Sequence, residues 1–408
     1  MKCRHCRAEV SLPFIDLGTA PPSNAYLNEI TLRAPEKWFP LRVLVCTNCW
    51  LVQTEDYARA EELFSPDYAY FSSYSTSWLE HAKKYTNEMV ERFKLDSACK
   101  IVEIAANDGY LLQYFKARNI PCVGVEPTSG TAAAARAKGI KIIEDFFGTR
   151  LAKKMIQQSI NADLIVGNNV LAHVPDTDDF LQAFVLLLKP KGVATFEFPH
   201  LLRLIAEKQF DTIYHEHFSY LSLTHLLRIF KLNGLKIFDV EELVTHGGSL
   251  RVFAQRLDSS PYAVNQRVKE LQEREVAAGM TTVEYYSGFQ AQANLVKNEL
   301  LAFLLEAART GKKVIAYGAA AKGNTLLNYA GVRPDLIPYV VDRSPSKQGK
   351  YMPGSRIPIV DESRIRMEKP DYVLILPWNI RDEVMAQLAY ISEWGSKFVT
   401  AVPSLKID

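Results

Sequence analysis

The stretch Lys100-Ile101-Val102-Glu103-Ile104-Ala105-Ala106-Asn107-Asp108-Gly109 decides the fold of this chain. The run from Ile101 to Ile104 predicts a buried parallel strand, and the turn after it opens an apolar helix from Tyr110 to Ala117. Strand and helix signals then alternate up to a turn expected at 189–192, which leads into a last strand from Val193 to Phe198. This alternation predicts a doubly wound α/β sheet.

Polar residues follow the predicted strands. Ligands of doubly wound sheets bind beyond the carboxyl ends of the strands, so we expect a cofactor there. Glu126 ends the second strand and suits a ribose diol, while Asp145 could bond an adenine amine as Phe146 packs on the ring. The expected cofactor residues are Glu103, Ala105, Asn107, Gly109, Glu126, Asp145, Phe146, Asn168 and Asn169.

The turn at 105–109 contains a single glycine, so the G-x-G-x-x-G fingerprint of dinucleotide binding is missing. Without the tight glycine turn, a pyrophosphate approaches the backbone less closely. A cofactor that carries adenosine but no phosphate fits better. The turn therefore favours S-adenosylmethionine over a nicotinamide dinucleotide.

Two C-x-x-C pairs lie near the N-terminus, at Cys3-Arg4-His5-Cys6 and Cys46-Thr47-Asn48-Cys49. Four thiolates can surround one tetrahedral zinc ion, and four protein ligands leave no open position for a substrate. The long gap between the pairs requires a small β-rich module. We predict one structural Zn²⁺, with the ligands Cys3, Cys6, Cys46 and Cys49.

Length and composition bound the remaining possibilities. The chain has 408 residues, 48% of them hydrophobic and 23% charged, which is typical of a globular protein with two or three domains. A net charge of +2 argues against a nucleic-acid partner. No apolar run reaches the length of a membrane span, no apolar signal segment precedes Cys3, and the cysteine spacing does not fit a secreted disulfide framework. We therefore expect a cytoplasmic protein without a membrane partner.

Three regions are expected: a zinc-binding module at 1–60, a sheet domain at 61–257, and a helical connector with a smaller Rossmann-like α/β domain at 258–408. In the third region, Lys322 stands at the start of a helix that follows small residues, a pattern that forms an anion site. Lys347 lies in a basic loop that is either solvated or phosphate-binding.

The stretch from Phe210 to Tyr220 places His215 and His217 on either side of Glu216, among aromatic residues. A histidine beside a carboxylate suits proton transfer, although a hydrogen-bonded helix start would look similar. A catalytic metal on the two histidines is conceivable, but the spacing matches no H-E-x-x-H helix.

Two further segments could contact a substrate. The aromatic and serine-rich segment from Tyr68 to Tyr74 is either a lid whose tyrosines reach the substrate or aromatic packing against the next domain. Gly247 and Gly248 allow close backbone approach to a ligand, and Arg251 could hold an anion, unless it is a solvent-facing residue of a hairpin.

In this order, the motifs resemble those of the S-adenosylmethionine-dependent sugar C-methyltransferases, which methylate C3 of nucleotide-linked 4-keto-6-deoxy sugars. The similarity covers essentially the whole chain. Its motifs are the two cysteine pairs, Y-x-Y-x-S-S at Tyr68–Ser73, V-E-I-x-x-N-D-G at Val102–Gly109, D-F-F at Asp145–Phe147, E-H-F at Glu216–Phe218, H-G-G at His246–Gly248 and Y-G-A-x-A-K at Tyr317–Lys322. One departure is Ala105, where many class I methyltransferases carry glycine.

The resemblance implies site residues. His217 would be the base that removes the C3 proton, with Glu216 beside it, Tyr214 near the enolate oxygen, and Tyr70 from the lid, for which Tyr68 is a substitute. The C-terminal domain would hold the nucleotide diphosphate, and the protein is expected to be a monomer. The expected substrate residues are Tyr68, Ser73, Glu197, His246, Gly247, Arg251, Lys322, Asn324 and Lys347.

Three other functions are compatible with parts of the sequence. An O- or N-methyltransferase would use the same cofactor edge without a carbon acid. A nicotinamide-dependent oxidoreductase or epimerase of nucleotide sugars could use either α/β domain, although the missing fingerprint argues against it. A zinc-knuckle interaction protein would need no catalytic residues.

Overall fold

The computed structural model describes residues 1–57, 60–63 and 70–408 of the chain. Tyr68, which we expected to reach the substrate, lies outside the described residues. The described residues form three β-sheets with helices packed around them. Within these ranges, every helix is too short or too polar to span a bilayer.

The N-terminal sheet is antiparallel and has four strands in the order β1-β2-β3-β9. Its fourth strand, β9, comes from far along the chain and joins the sheet at the edge of β3. The elements of this region are β1 (Leu12–Ala20), β2 (Phe39–Val45), β3 (Val52–Thr54), α1 (Ala60–Leu63) and the distant β9 (Ser219–Tyr220).

The central sheet has seven strands in the order β10-β11-β8-β7-β4-β5-β6. Strands β4 to β8 are parallel, and β11 is antiparallel to both of its neighbours. The strands are β4 (Ile101–Ile104), β5 (Cys122–Val125), β6 (Lys141–Ile143), β7 (Ala162–Asn168), β8 (Leu188–Pro199), β10 (Leu235–Leu243) and β11 (Ser249–Arg256). The helices are α2 (Thr76–Phe93), α3 (Leu112–Lys116), α4 (Ser129–Ala137), α5 (Thr149–Gln157), α6 (Thr177–Leu187), α7 (Leu201–Ala206) and α8 (Leu223–Leu232).

This sheet confirms the predicted doubly wound α/β fold, with one local error. The turn expected at 189–192 lies inside β8, which begins at Leu188 rather than at Val193. The pairing of β8 with β7 shifts register between these two residues. Pro190 lies in this irregular part, where a residue without an N–H does not interrupt a regular ladder.

The C-terminal sheet has six strands in the order β14-β13-β12-β15-β16-β17, of which only β17 is antiparallel to its neighbour among the described residues. The connector helices are α9 (Gln266–Ala277), α10 (Val283–Tyr286) and α11 (Phe289–Arg309). The domain elements are β12 (Val314–Tyr317), α12 (Ala321–Tyr329), β13 (Val340–Val341), β14 (Ile359–Val360), α13 (Ser363–Glu368), β15 (Tyr372–Ile375), α14 (Arg381–Gln387), β16 (Lys397–Thr400) and β17 (Lys406–Ile407).

Helix α11 packs between the N-terminal and C-terminal sheets. Phe289 at its start stacks on Phe14 of β1, with ring centres 4.5 Å apart. Val296 and Leu300, four residues apart along one helical face, are buried in the same core, which also contains Val340 of β13. This shared core holds the zinc-binding region and the C-terminal domain together.

Candidate active site

The four cysteines of the two C-x-x-C pairs come together as predicted. All four sulfur atoms lie within 4.8 Å of one another, with Cys3 Sγ 3.6 Å from Cys49 Sγ and Cys6 Sγ 3.5 Å from Cys46 Sγ. A tetrahedral zinc with bonds of about 2.3 Å places its sulfur ligands about 3.8 Å apart, so the cluster fits the ion. His5, inside the first pair, instead contacts Asp178 at 3.1 Å.

The turn after β4 adopts left-handed backbone conformations at Ala105, Asn107 and Gly109, with φ of 57°, 50° and 75°. At Gly109 the left-handed backbone favours glycine, and a Cβ atom would also lie 3.3 Å from the Cβ of Ala135. Ala105 adopts its conformation despite having a Cβ, which costs about 1 kcal/mol relative to glycine. The turn thus holds left-handed conformations at two residues that carry a Cβ, Ala105 and Asn107.

Hydrogen bonds to Glu126 fix this turn. The carboxylate is buried and accepts hydrogen bonds of 2.9 Å from the backbone N–H groups of Asn107 and Thr128. Two neighbouring side chains are unsatisfied: both carboxylate oxygens of Glu103, and both amide atoms of Asn168, are buried without a hydrogen-bond partner. Unpaired buried polar groups are costly, and these two lie at the strand ends where a polar cofactor would satisfy them.

The other expected cofactor residues are more open. Asp145 forms an ion pair with Arg150 at 2.6 Å, and the ring of Phe146 is 41% exposed. Asn169 has a left-handed backbone, with φ of 52°, and its N–H donates to the carbonyl oxygen of Glu197. All three follow carboxyl ends of strands, as predicted.

Residues 70–73 contact the turn after β4 directly. The Asn107 amide accepts from Ser72 N–H at 2.9 Å and donates to the Tyr70 carbonyl oxygen at 3.0 Å. Ser73 N–H donates to Asp108 at 3.2 Å. Since Tyr70 is 43% exposed, its ring is available to a ligand beside this turn.

His217 has the geometry of a general base. Its Nδ1–H donates to the carbonyl oxygen of Thr212 at 2.8 Å, which leaves the lone pair of a neutral ring on Nε2. Nε2 makes no hydrogen bond within the described part of the chain. Burial lowers the pKa of His217 well below 6.5, so the ring is neutral at physiological pH.

The rings of Tyr214 and His173 both pack against the His217 ring, with ring centres 4.0 and 4.7 Å away. Burial raises the pKa of Tyr214 well above 10, so the phenol stays protonated and its O–H group can donate a hydrogen bond. The His173 Nδ1 lies 2.8 Å from the Glu216 carbonyl oxygen, and burial lowers the pKa of this ring to about 4. Sequence reasoning missed His173, although it follows the polar end of β7, where ligands are expected.

Glu216 and His215 face the zinc-binding region. Both carboxylate oxygens of Glu216 accept from Asn24 Nδ2 at 2.8 Å, a contact that the sequence did not indicate. His215 Nε2 lies 3.3 and 3.2 Å from the carbonyl oxygens of Phe39 and Pro40, which holds the ring against the zinc-binding region. Among the described residues, potential metal ligands cluster only at the four cysteines.

Glu197 and Arg251 form a buried ion cluster at the end of β8. Glu197 is fully buried, and its carboxylate oxygens lie 3.1 Å from Arg251 Nη2 and 2.9 Å from His81 Nε2. Arg251 is 2% exposed and also pairs with Glu241 at 3.0 Å. The alternative of a solvent-facing arginine is therefore wrong. The guanidinium is neutralised by carboxylates of this chain.

His246 and Gly247 connect the central sheet to the C-terminal domain. The ring of His246 lies 4.8 Å from that of Trp78, and burial lowers its pKa to about 4. At Gly247, where φ is 87°, a Cβ atom would lie 2.3 Å from the ring of Trp378. This glycine permits the approach of the two domains.

Lys322 lies in the first turn of α12, and Lys347 contacts the turn that precedes this helix and pairs with Asp342 at 3.5 Å. The Lys322 ammonium lies 3.0 Å from Asn379 Oδ1, and burial lowers its pKa to about 8. Lys347 donates to the carbonyl oxygen of Ala319 at 2.7 Å. Asn324 is buried on α12, and its Nδ2 has no hydrogen-bond partner. Two cations and an unpaired amide donor are thus collected near one helix start.

Three family models match the chain in succession. They describe a zinc binding domain at residues 3–64, a methyltransferase domain at residues 78–240 and a C-methyltransferase C-terminal domain at residues 244–403. C-methyltransferase NovU of Streptomyces niveus is 32% identical over 406 residues, which cover 100% of this chain and 96% of NovU. The chain belongs to this family of C-methyltransferases. Membership confirms the expected S-adenosylmethionine-dependent methyl transfer to carbon and the zinc module.

Two solved structures are similar to part of this chain at low identity. Magnesium protoporphyrin IX methyltransferase from Synechocystis, with bound SAH, is 14% identical with a TM-score of 0.36, over 44% of this chain and 83% of the other. The PH0226 protein from Pyrococcus horikoshii is 13% identical with a TM-score of 0.39, over 49% and 100%.

Proposed function

We propose that this C-methyltransferase methylates C3 of a nucleotide-linked 4-keto-6-deoxy sugar by base-assisted enolate formation. The observation that carries the proposal is the placement of the His217 ring, whose Nδ1–H donates to the Thr212 carbonyl oxygen and whose centre lies 4.0 Å from that of the Tyr214 ring. A carbon acid next to a ketone needs both a base and a donor for the enolate oxygen. The two side chains supply these two functions at neighbouring positions.

In this mechanism, His217 Nε2 takes the C3 proton, and the electrons of the C–H bond move onto the C4 ketone oxygen. Tyr214 donates a hydrogen bond to the resulting enolate. S-adenosylmethionine supplies an electrophilic methyl group when it is bound, and Glu103 and Asn168 are the side chains whose unpaired atoms would hold it. The enolate electrons would return to form the C3–methyl bond while the methyl–sulfur bond of the donor breaks. The electron pair of that bond would stay on sulfur, and S-adenosylhomocysteine would leave. Holding both reactants in line makes this step fast.

The nucleotide diphosphate would bind at the start of α12. Lys322 and Lys347 provide positive charge, and the unpaired Nδ2 of Asn324 provides a donor. The stretch from Phe210 to Tyr220 is the catalytic segment of this proposal. Helix α12 contacts it, because Thr325 Oγ1 donates to the Ile213 carbonyl oxygen at 2.8 Å. A nucleotide bound there would present its sugar to His217. Tyr70, Ser73 and His246 would line the remaining sides.

The test uses purified protein, S-adenosylmethionine and a thymidine- or guanosine-diphospho keto sugar in heavy water. We expect the C3 hydrogen to exchange and a C-methyl product to form, both detected by mass spectrometry. His217→Ala should lower both rates by about a hundred- to ten-thousand-fold. His215→Ala is the matched control, with near-normal rates expected. A wild-type protein that neither exchanges C3 nor forms a C-methyl product contradicts the proposal.

The proposal includes a monomeric, cytoplasmic enzyme. Free cysteines that are arranged as metal ligands suit a reducing compartment, where thiols persist. Sedimentation of the zinc-loaded protein measures its oligomeric state, and a stable dimer would contradict the proposed monomer.

A further inference from the structure

The connection between β1 and β2 carries Asn24 from the zinc-binding module to the catalytic segment. Asn24 Nδ2 lies 2.8 Å from each carboxylate oxygen of Glu216. Glu216 is only 1% exposed to solvent. Burying a carboxylate is costly unless hydrogen-bond donors replace water. The Asn24 amide supplies such a donor to both carboxylate oxygens without adding a positive charge.

The same module contacts the residues on both sides of Glu216. Thr54 Oγ1 donates to the His217 carbonyl oxygen at 3.2 Å. Beyond it, Ser219 and Tyr220 pair with Gln53 and Val52 as the fourth strand of the module's sheet. The catalytic segment is therefore built into the zinc-binding module rather than attached to its surface.

Gln53 connects this strand pair to the zinc ligands. Its backbone pairs with Ser219, and its Nε2 lies 3.3 Å from the sulfur of Cys3. Its Oε1 accepts from the N–H of Arg4, which lies between the cysteines of the first pair. A short chain of contacts thus joins the cysteine cluster to the segment that contains His217.

We infer that the zinc-binding module forms one wall of the active site, and that Asn24 is a positioning residue that holds the Glu216 carboxylate. The inference rests on the proposed function for its role in catalysis. Asn24 acts through Glu216, which lies beside His217 in the chain and whose carbonyl oxygen contacts His173. Losing this contact removes a hydrogen-bond donor from a buried carboxylate next to the proposed base.

The first variant is Asn24→Ala. Losing a hydrogen bond to a charged group should lower kcat for C-methyl transfer by about 10- to 100-fold. The KM for S-adenosylmethionine should stay at its wild-type value, because Asn24 contacts none of the expected cofactor residues. Asn28→Ala is the matched control, since Asn28 lies in the same connection but is exposed, and its side chain bonds to its own turn. Metal analysis should find one zinc per chain in all three proteins.

The second variant is Asn24→Asp, which places two carboxyl groups in contact. One of them should hold a proton to higher pH, as in paired carboxylates. When protonated, the introduced carboxyl group can donate to Glu216 as the native amide does, but after ionisation the two groups repel. The ratio of variant to wild-type kcat should therefore fall as pH rises from about 5 to about 8. A residue with only a structural role would give a flat ratio.

A substrate-free measurement separates this inference from the proposed function. The loss of thermal stability in Asn24→Asp should grow over the same pH range and disappear when Glu216→Gln is added. Equal kcat values for the Asn24→Ala and Asn28→Ala variants, or a flat pH ratio, overturn the positioning role. A wild-type protein that fails to methylate the keto sugar overturns the proposed function, while the stability series still decides whether Asn24 holds Glu216.

Discussion

Replacing Trp378 by Phe tests how the C-terminal domain holds the proposed catalytic segment, from Phe210 to Tyr220. Trp378 Nε1 donates to Asp211 Oδ2 at 2.7 Å, and Asp211 is fully buried with its other oxygen unpaired. Burial raises the pKa of Asp211 to about 6. The Lys322 ammonium lies 4.5 Å from the centre of the Trp378 ring, and a Phe ring would keep a face for it.

The expected loss of stability depends on pH. At about pH 8 Asp211 is ionised, and a hydrogen bond to a charged group contributes about 1.5–3 kcal/mol to the free energy of unfolding. At about pH 5 the carboxyl group is protonated, and a bond between neutral groups contributes about 0.5–1.5 kcal/mol. The destabilisation by Trp378→Phe should therefore be larger at pH 8 by about 1–2 kcal/mol.

Trp394→Phe is the matched control. Trp394 Nε1 donates to the carbonyl oxygen of Pro370 at 3.2 Å, an acceptor that does not titrate. Trp394→Phe should lower the free energy of unfolding by the same amount at pH 5 and at pH 8. Both variants also lose ring volume, so the comparison isolates the charge of the acceptor.

Urea unfolding followed by circular dichroism measures these differences, with each variant referred to wild type at the same pH. The double variant Trp378→Phe/Asp211→Asn should lose the pH dependence, because the titrating acceptor is gone. The reasoning is refuted if Trp378→Phe is equally destabilising at both pH values. It is also refuted if the dependence persists in the double variant.

Three further predictions concern the site. The proposed base must be neutral, and the pKa of His217 is lowered, so kcat/KM should not change between about pH 7.5 and pH 6.5. A fall in kcat/KM that begins above pH 6.5 as the solution is acidified would contradict this. Gly247→Ala should cost about 2–4 kcal/mol in urea unfolding, because its Cβ meets Trp378; Gly331→Ala, with open space, should cost about 1 kcal/mol. Asn168→Leu should stabilise the ligand-free protein by about 1–3 kcal/mol and weaken S-adenosylmethionine binding in calorimetry; unchanged affinity would exclude this residue from the site.

The sequence predicted what local patterns encode. The strand Ile101–Ile104 has the predicted bounds because its apolar run ends at a turn that only certain residues tolerate. The cysteine cluster followed from spacing alone, since four thiolates in two pairs have few other arrangements. The resemblance added His217, whose environment in the structure matches the role of a base.

Other site features depend on contacts between distant segments, which one sequence does not display. Asn24 stands in a proline-rich connection, and nothing near it in the chain indicates a carboxylate partner 192 residues away. The two-residue strand β9 is too short for any periodicity to show. Arg251 had the pattern of an exposed hairpin residue, but three carboxylates from α2, β8 and β10 surround it in the fold.

The pairing of Val52 with Tyr220 also constrains how the chain is made. On a ribosome that adds about 5–20 residues per second, β3 waits on the order of ten seconds for its partner strand. During that time, β3 presents an unpaired edge, which is a template for association with other chains. Nascent chains that stop before Tyr220 should therefore self-associate more readily than those that extend past it. The segment that carries the proposed base is thus also the strand that closes this edge.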